Sequence, residues 1–166
     1  MAELVVFYSL TGKSRQMAEW LAAGLNAELD EIVEQRPRDF AFRGIIRSGM
    51  DSLFRRRPPI APMTHRQGIF DRVILACPVW GGRIAGPART WLHRYGPGLK
   101  SLGLALQSGD GTAHSGVLGE FREVTGHSPK PLLTISEHDF GNRTAERKVA
   151  DFVRSITIEA AKYPEG

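Results

Sequence analysis

Two rhythms of apolar residues alternate along the chain. Leu4 to Tyr8 is a short unbroken apolar run containing branched residues, and Met17, Trp20, Leu21 and Leu25 then recur at helical spacing. A strand therefore feeds a helix across the polar turn "SLTGKS". "ELDEIVE", Glu28 to Glu34, predicts a second strand. Across "FAFRGIIRSGMDSLF", Phe42, Ile45, Ile46, Met50, Leu53 and Phe54 fall near helical spacing and predict a helix with these residues on its core side, weakened by Gly44 and Gly49. Pro58, Pro59 and Pro62 end that helix and predict an extended linker.

"DRVILACPVW" is apolar almost throughout and rich in branched residues, as a strand buried on both faces of a parallel sheet requires. A helix follows from about Pro87, a residue suited to a first helical turn, with Trp91 and Leu92 inward. "SLGLALQSG" predicts the next strand, His114 to Val124 the next helix, and "PLLTIS" the last strand. Asn142 is then placed to cap a final helix whose Val149, Phe152, Val153 and Ile156 share one stripe. Five strands alternating with helices predict an α/β, doubly wound parallel sheet with helices on both faces, formed by residues 1–166 as a single domain.

Composition narrows the setting. At 166 residues and 42% hydrophobic, the chain suffices for one domain with an adequate core. No run of about 20 apolar residues is present to span a bilayer. The N-terminus carries Glu3 where a signal peptide would be positive, and the expected location is cytoplasmic. The single cysteine, Cys77, cannot form an internal disulfide, and its place at the end of a buried strand predicts an inert thiol. The net charge of +4 is unevenly distributed. Arg36, Arg38, Arg43, Arg47, Arg55, Arg56, Arg57 and Arg66 are opposed in their stretch, about 36–66, only by Asp39 and Asp51. This segment is either a solvated face or a surface for an anionic partner: NADPH phosphates, an acidic redox protein or a membrane surface. It does not read as a specific nucleic-acid site, because Phe40, Phe42 and Phe54 fit a core face better than a stacking platform.

The turn "SLTGKS" ends like a nucleotide P-loop, G-x-x-x-x-G-K-[ST], but the residue five before Gly12 is Phe7 rather than glycine. No later strand ends in an Asp suited to magnesium. In a doubly wound sheet, ligands sit beyond the carboxyl ends of the strands where strand order reverses. Three strand ends here carry loops of small residues: "SLTGKS", "CPVWGGRIAGP" and "QSGDGTAHSG". Their recurrence argues for one composite site.

The turn Ser9, Leu10, Thr11, Gly12, Lys13, Ser14 matches the [ST]-x-[ST]-G-x-[ST] phosphate loop of flavodoxins, and Pro78, Val79, Trp80, Gly81, Gly82 is similar to their flavin-ring loop. Ser108, Gly109, Asp110 and Gly111 fall where that family completes the ring site. The chain thus resembles the flavodoxin family from Met1 to about Phe152. The resemblance implies a five-stranded flavodoxin-like fold, strand order 2-1-3-4-5, binding FMN noncovalently at those residues.

The residues support that implication. A helix N-terminus with free amides, aided by the hydroxyls of Ser9, Thr11 and Ser14, offers donors to a phosphate monoester without a metal. Lys13 either adds charge there or swings out into solvent. Trp80 is suited to cover one side of a flat aromatic ring, its alternative being a wall between helix and sheet, while Trp20 and Trp91 fall at packing positions. Gly81 and Gly82 present backbone to the ring edge near N5. His114, close to the third loop, is either a proton donor or a surface histidine at a helix start.

Two departures bear on function. Electron-carrying flavodoxins are commonly acidic, whereas the three loops here contribute Asp110 against Lys13 and Arg83, which predicts a less negative second-electron potential. The third loop also lacks an aromatic residue, leaving one ring face open to a nicotinamide or a quinone. The expected function is electron transfer between a reduced donor and a redox partner protein or small-molecule acceptor. The alternatives are an NAD(P)H:quinone-type FMN reductase and a non-catalytic domain binding an anionic partner.

Overall fold

The computed structural model describes residues 1–36 and 42–162, with only the backbone of 42–45. Arg38, Asp39 and Phe40 of the basic stretch lie outside the described residues. The strands are β1 (Glu3–Phe7), β2 (Glu28–Glu31), β3 (Arg72–Trp80), β4 (Arg83–Ile84), β5 (Leu102–Ser108) and β6 (Leu132–Ser136). The α-helices are α1 (Lys13–Leu25), α2 (Phe42–Leu53), α3 (Gly86–Tyr95), α4 (Ser115–Thr125), α5 (Glu137–Gly141) and α6 (Ala145–Lys162).

The five long strands run parallel in the order β2-β1-β3-β5-β6, so the expected 2-1-3-4-5 arrangement holds for them. The sixth strand is β4, which pairs antiparallel with the end of β3. Side-chain alternation along each strand divides the core between the two faces. Leu4, Val6, Leu75, Leu104 and Leu106 meet Trp91, Leu92, Val117 and Phe121 of α3 and α4. On the other face Val5, Phe7, Ile74, Ala105 and Ile135 meet Met17, Leu21, Val149 and Ile156 of α1 and α6. Both faces of β3 and β5 are covered by mainly apolar layers, which is why these strands read as largely hydrophobic runs.

Three expectations need correction, and one short helix is new. The second strand stops at Glu31, and Glu34 instead forms an isolated antiparallel bridge with Ile60, docking the proline-rich stretch against the segment after β2. Asn142 does not cap α6: it closes α5 by donating its backbone N–H to His138 O, and its Oδ1 accepts from Thr144 N–H at 3.1 Å. The five-residue α5 was not anticipated. The largest difference is α2. Ile46, Met50, Leu53 and Phe54, expected inside, are 48, 38, 72 and 58% exposed, while Ser48, Asp51 and Ser52 are buried. The polar stripe can face inward because its groups find partners there: Ser52 Oγ donates to Trp80 O. The nearby backbone is held as well, since Arg89 Nη1 donates to the carbonyls of Asp51 and Arg56, at 3.1 Å each.

Candidate functional site

The parallel order sets the carboxyl ends of β1, β3 and β5 side by side, and chain direction away from β1 reverses between β2 and β3. At the first end, Gly12 adopts φ +93°, a left-handed turn that leads directly into α1. Its N–H donates to Ser9 Oγ at 3.0 Å. No side chain caps the helix, and the first intrahelical bond runs from Gln16 N–H to Gly12 O. The preceding amides of the first turn are therefore left for another acceptor. No acidic residue stands in that turn. Lys13 does not swing out into solvent; it forms an ion pair with Glu137.

At the second end the expected loop is largely strand. Pro78, Val79 and Trp80 belong to β3, and Gly81 and Gly82, at φ +55° and +72°, form the two-residue turn of a hairpin into β4. Positive φ at both central positions is what a type I′ hairpin demands. The Trp80 ring stands edge-on to Tyr8, with centroids 5.7 Å apart and planes at 83°. Tyr8 in turn donates its hydroxyl to Glu34 Oε2 at 3.0 Å. The indole is thereby buttressed from beneath, and it remains half exposed at the rim.

At the third end Asp110 organises its own loop. Its Oδ1 accepts from Thr112 N–H and Thr112 Oγ1, both at 3.0 Å, and from Ser108 Oγ at 3.2 Å. These bonds, that from the Thr112 amide foremost, hold its carboxyl down at about 2. His114 lies 3.1 Å from Asp110 Oδ1 through Nε2 and adopts φ +43°, a strained value for a residue with a side chain. A Cβ added at Gly82 would lie 3.6 Å from His114 Nδ1, so the imidazole flanks the glycine turn. Gly111, at φ +75°, passes close to Ser136 at the end of β6.

These elements enclose a cavity of about 170 Å³ lined by Leu10, Thr11, Ser14, Pro78, Val79 and Trp80, together with Gln107, Gly109 and Glu137. Of the expected residues, seven line it; Ser9, Gly12, Lys13, Gly81, Gly82, Ser108, Asp110 and Gly111 lie around it and shape its loops. Larger hollows of about 370, 450 and 240 Å³ lie elsewhere, by Met1 and Lys130, by Arg57 and Arg94, and by Trp20 and Phe140, and none of these gathers the three loops. Gln107 and Glu137 were not anticipated. Gln107 Nε2 donates to Glu137 Oε1 at 2.9 Å, fixing the carboxylate that also pairs with Lys13. Glu137 adds a second acid to the loops, which reduces the positive surplus expected there. Cys77 is fully buried, and burial pushes its thiol up to about 12, so it is inert.

No family model matches the sequence, and no curated protein matches it. Solved structures do. A protein described provisionally as a flavoprotein, from Bacteroides eggerthii, superposes with a TM-score of 0.73 at 20% identity, over 94% of this chain and 98% of that one. The fold is flavodoxin-like. A Lactobacillus acidophilus flavoprotein solved in complex with FMN gives a TM-score of 0.63 at 21% identity, over 85% of this chain and 97% of that one. A Fusobacterium nucleatum flavodoxin bound to flavin mononucleotide gives 0.55 at 12% identity, over 96% and 99%. At such identities the likeness is one of fold. Within the flavodoxin-like fold, the cavity opens at the switch point between the adjacent strands β1 and β3.

Proposed function

We propose that the chain binds FMN at the carboxyl ends of β1, β3 and β5 and serves as a redox protein between a reduced donor and a protein or small-molecule acceptor. The observation that carries this reading is one cavity joining an uncapped helix N-terminus to an indole rim: Thr11 and Ser14 on one side, Trp80 on the other. The donor set fits a phosphate monoester. Amides of the first turn of α1, the hydroxyls of Thr11 and Ser14, and the ammonium of Lys13 would hold it, with Gly12 allowing the backbone to curl around it. Trp80, braced by Tyr8, would stack on the ring system. Gly81 and Gly82 would meet its edge, and His114 stands behind them. FMN, when bound, supplies one- or two-electron chemistry. The Lactobacillus and Fusobacterium structures, both solved with FMN, support the assignment of the cofactor.

A reductase reading draws on the third loop. Gly109, Asp110, Gly111, Thr112 and Ala113 include no aromatic side chain, so Trp80 has no counterpart from that loop and a nicotinamide or a quinone could reach the ring. Visible absorption of purified protein with added FMN tests both readings. Bound flavin that bleaches under anaerobic NADH or NADPH would make the chain a reductase. Bound flavin that stays oxidised until a separate reductase is supplied would make it a carrier. Absence of binding with excess FMN would overturn the proposal.

A further inference from the structure

Outside the cavity, α2 is the element whose surface disagrees most with its sequence. Its outward stripe consists of Ile46, Met50 and Leu53, continued by Phe54 in the following turn. The stripe leads straight into Arg55, Arg56 and Arg57, all exposed. Arg56 lies over the Phe54 ring, 5.4 Å from its centroid, so ring and cation are presented together. Of the nearby acids, two pair with arginines of this stretch and one is buried. Glu123 takes Arg55 at 2.8 Å, Glu34 takes Arg47 at 3.4 Å, and Asp51 faces inward.

We propose that the outer face of α2 and the arginine run after it dock on an anionic lipid bilayer. Charge complementarity selects this occupant. An apolar helix stripe ending in arginines matches the depth profile of a membrane interface: side chains such as Leu53 and Phe54 enter the acyl boundary while guanidinium groups reach lipid phosphates. Arg56, with its stem along the Phe54 ring, suits that boundary. A second copy of the chain presents cations rather than anions on this face, so a two-fold contact centred on the arginine run would set like charges together. The chain would lie on the membrane: among the described residues no helix is long and apolar enough to cross one. Ser52 ties α2 to the carbonyl of Trp80, so docking would set the cavity rim close to the lipid surface. The proposal does not depend on FMN.

Cosedimentation with vesicles tests it, using phosphatidylcholine alone and phosphatidylcholine mixed with phosphatidylglycerol. The full chain is expected to bind the mixed vesicles, to ignore the neutral ones and to weaken with salt. Leu53→Ser with Phe54→Ser should weaken binding at least about tenfold, at about 0.8 kcal/mol per buried methylene lost. Arg56→Gln with Arg57→Gln should weaken it about fivefold per residue. All four side chains are exposed, so circular dichroism should match the parent. Absence of binding to mixed vesicles would overturn the proposal. So would binding unchanged by the apolar pair, which would mean charge attraction alone. A dimer that forms without lipid and is lost in the apolar variant would assign the face to a second copy. Retention on a soluble polyanion without vesicle binding would assign it to an acidic partner.

Discussion

Glu137 places a negative charge at the cavity where a phosphate loop would attract an anion, and Lys13 neutralises it. The pair is about half exposed, so its worth is about 0.2–1 kcal/mol. Glu137→Gln is therefore expected to tighten FMN binding about two- to fivefold at low salt, by removing a carboxylate and freeing Lys13. Lys13→Ala should weaken it by leaving Glu137 unopposed. Flavin fluorescence titration at two ionic strengths measures both; weaker binding in Glu137→Gln would contradict the assignment. At this scale the turns at Ser9 to Ser14 and at Gly81 and Gly82 were legible as strand ends, because glycines there have few other uses, whereas Pro78 to Trp80, expected in a loop, continue β3. Glu137 and Gln107 were not legible, since their role depends on β5 and β6 ending side by side. One local signal was available: Ser136 followed three residues later by Asp139 is the pattern of a capping box.

Among the elements, α5 carries the clearest polar network. Asp139 accepts from Lys148 Nζ at 2.7 Å, Ser136 N–H at 2.8 Å and Thr144 Oγ1 at 2.9 Å, joining the end of β6 to the start of α6. The Lys148 bond foremost, with those from Ser136 and Thr144, holds its carboxyl well below the usual range. A carboxyl depressed by folding stabilises fully above its unfolded value, near about 3.9, and loses that contribution as pH falls toward the folded value. Asp139→Asn should cost about 1–3 kcal/mol in urea unfolding at pH 7. The gap from the parent should narrow by pH 3; an equal gap at both pH values would argue against the charged network. The hairpin after Trp80 was not anticipated, although Gly81 and Gly82 at the end of an apolar run are its signal. Nor was the inversion of α2. Periodicity reveals that a helix has an apolar side but is silent on which side is satisfied inside, and here carbonyls and a guanidinium supply the inner partners.

Across the whole molecule, the doubly wound parallel sheet was legible from the alternation of apolar strands with helices, whereas its strand order came from the resemblance to flavodoxins. The buried Arg89 was not legible. Its guanidinium, 1% exposed, meets Glu120 of α4 in a two-pronged pair and also reaches carbonyls at the end of α2 and just beyond, so one side chain of α3 ties three helices together. Glu120→Ala should destabilise by about 3–5 kcal/mol through the unpaired buried cation it leaves. Glu120→Gln, which keeps an acceptor, should cost less. Equal losses for the two, read by thermal and urea unfolding, would mean that packing rather than charge holds the junction. The same junction bears on how the surface can be changed. A helix fastened from within by Arg89 and Ser52 leaves its outer residues with little folding duty, so substitutions along Ile46, Met50 and Leu53 can be imposed from a library to retune what this face meets while the scaffold beneath stays intact.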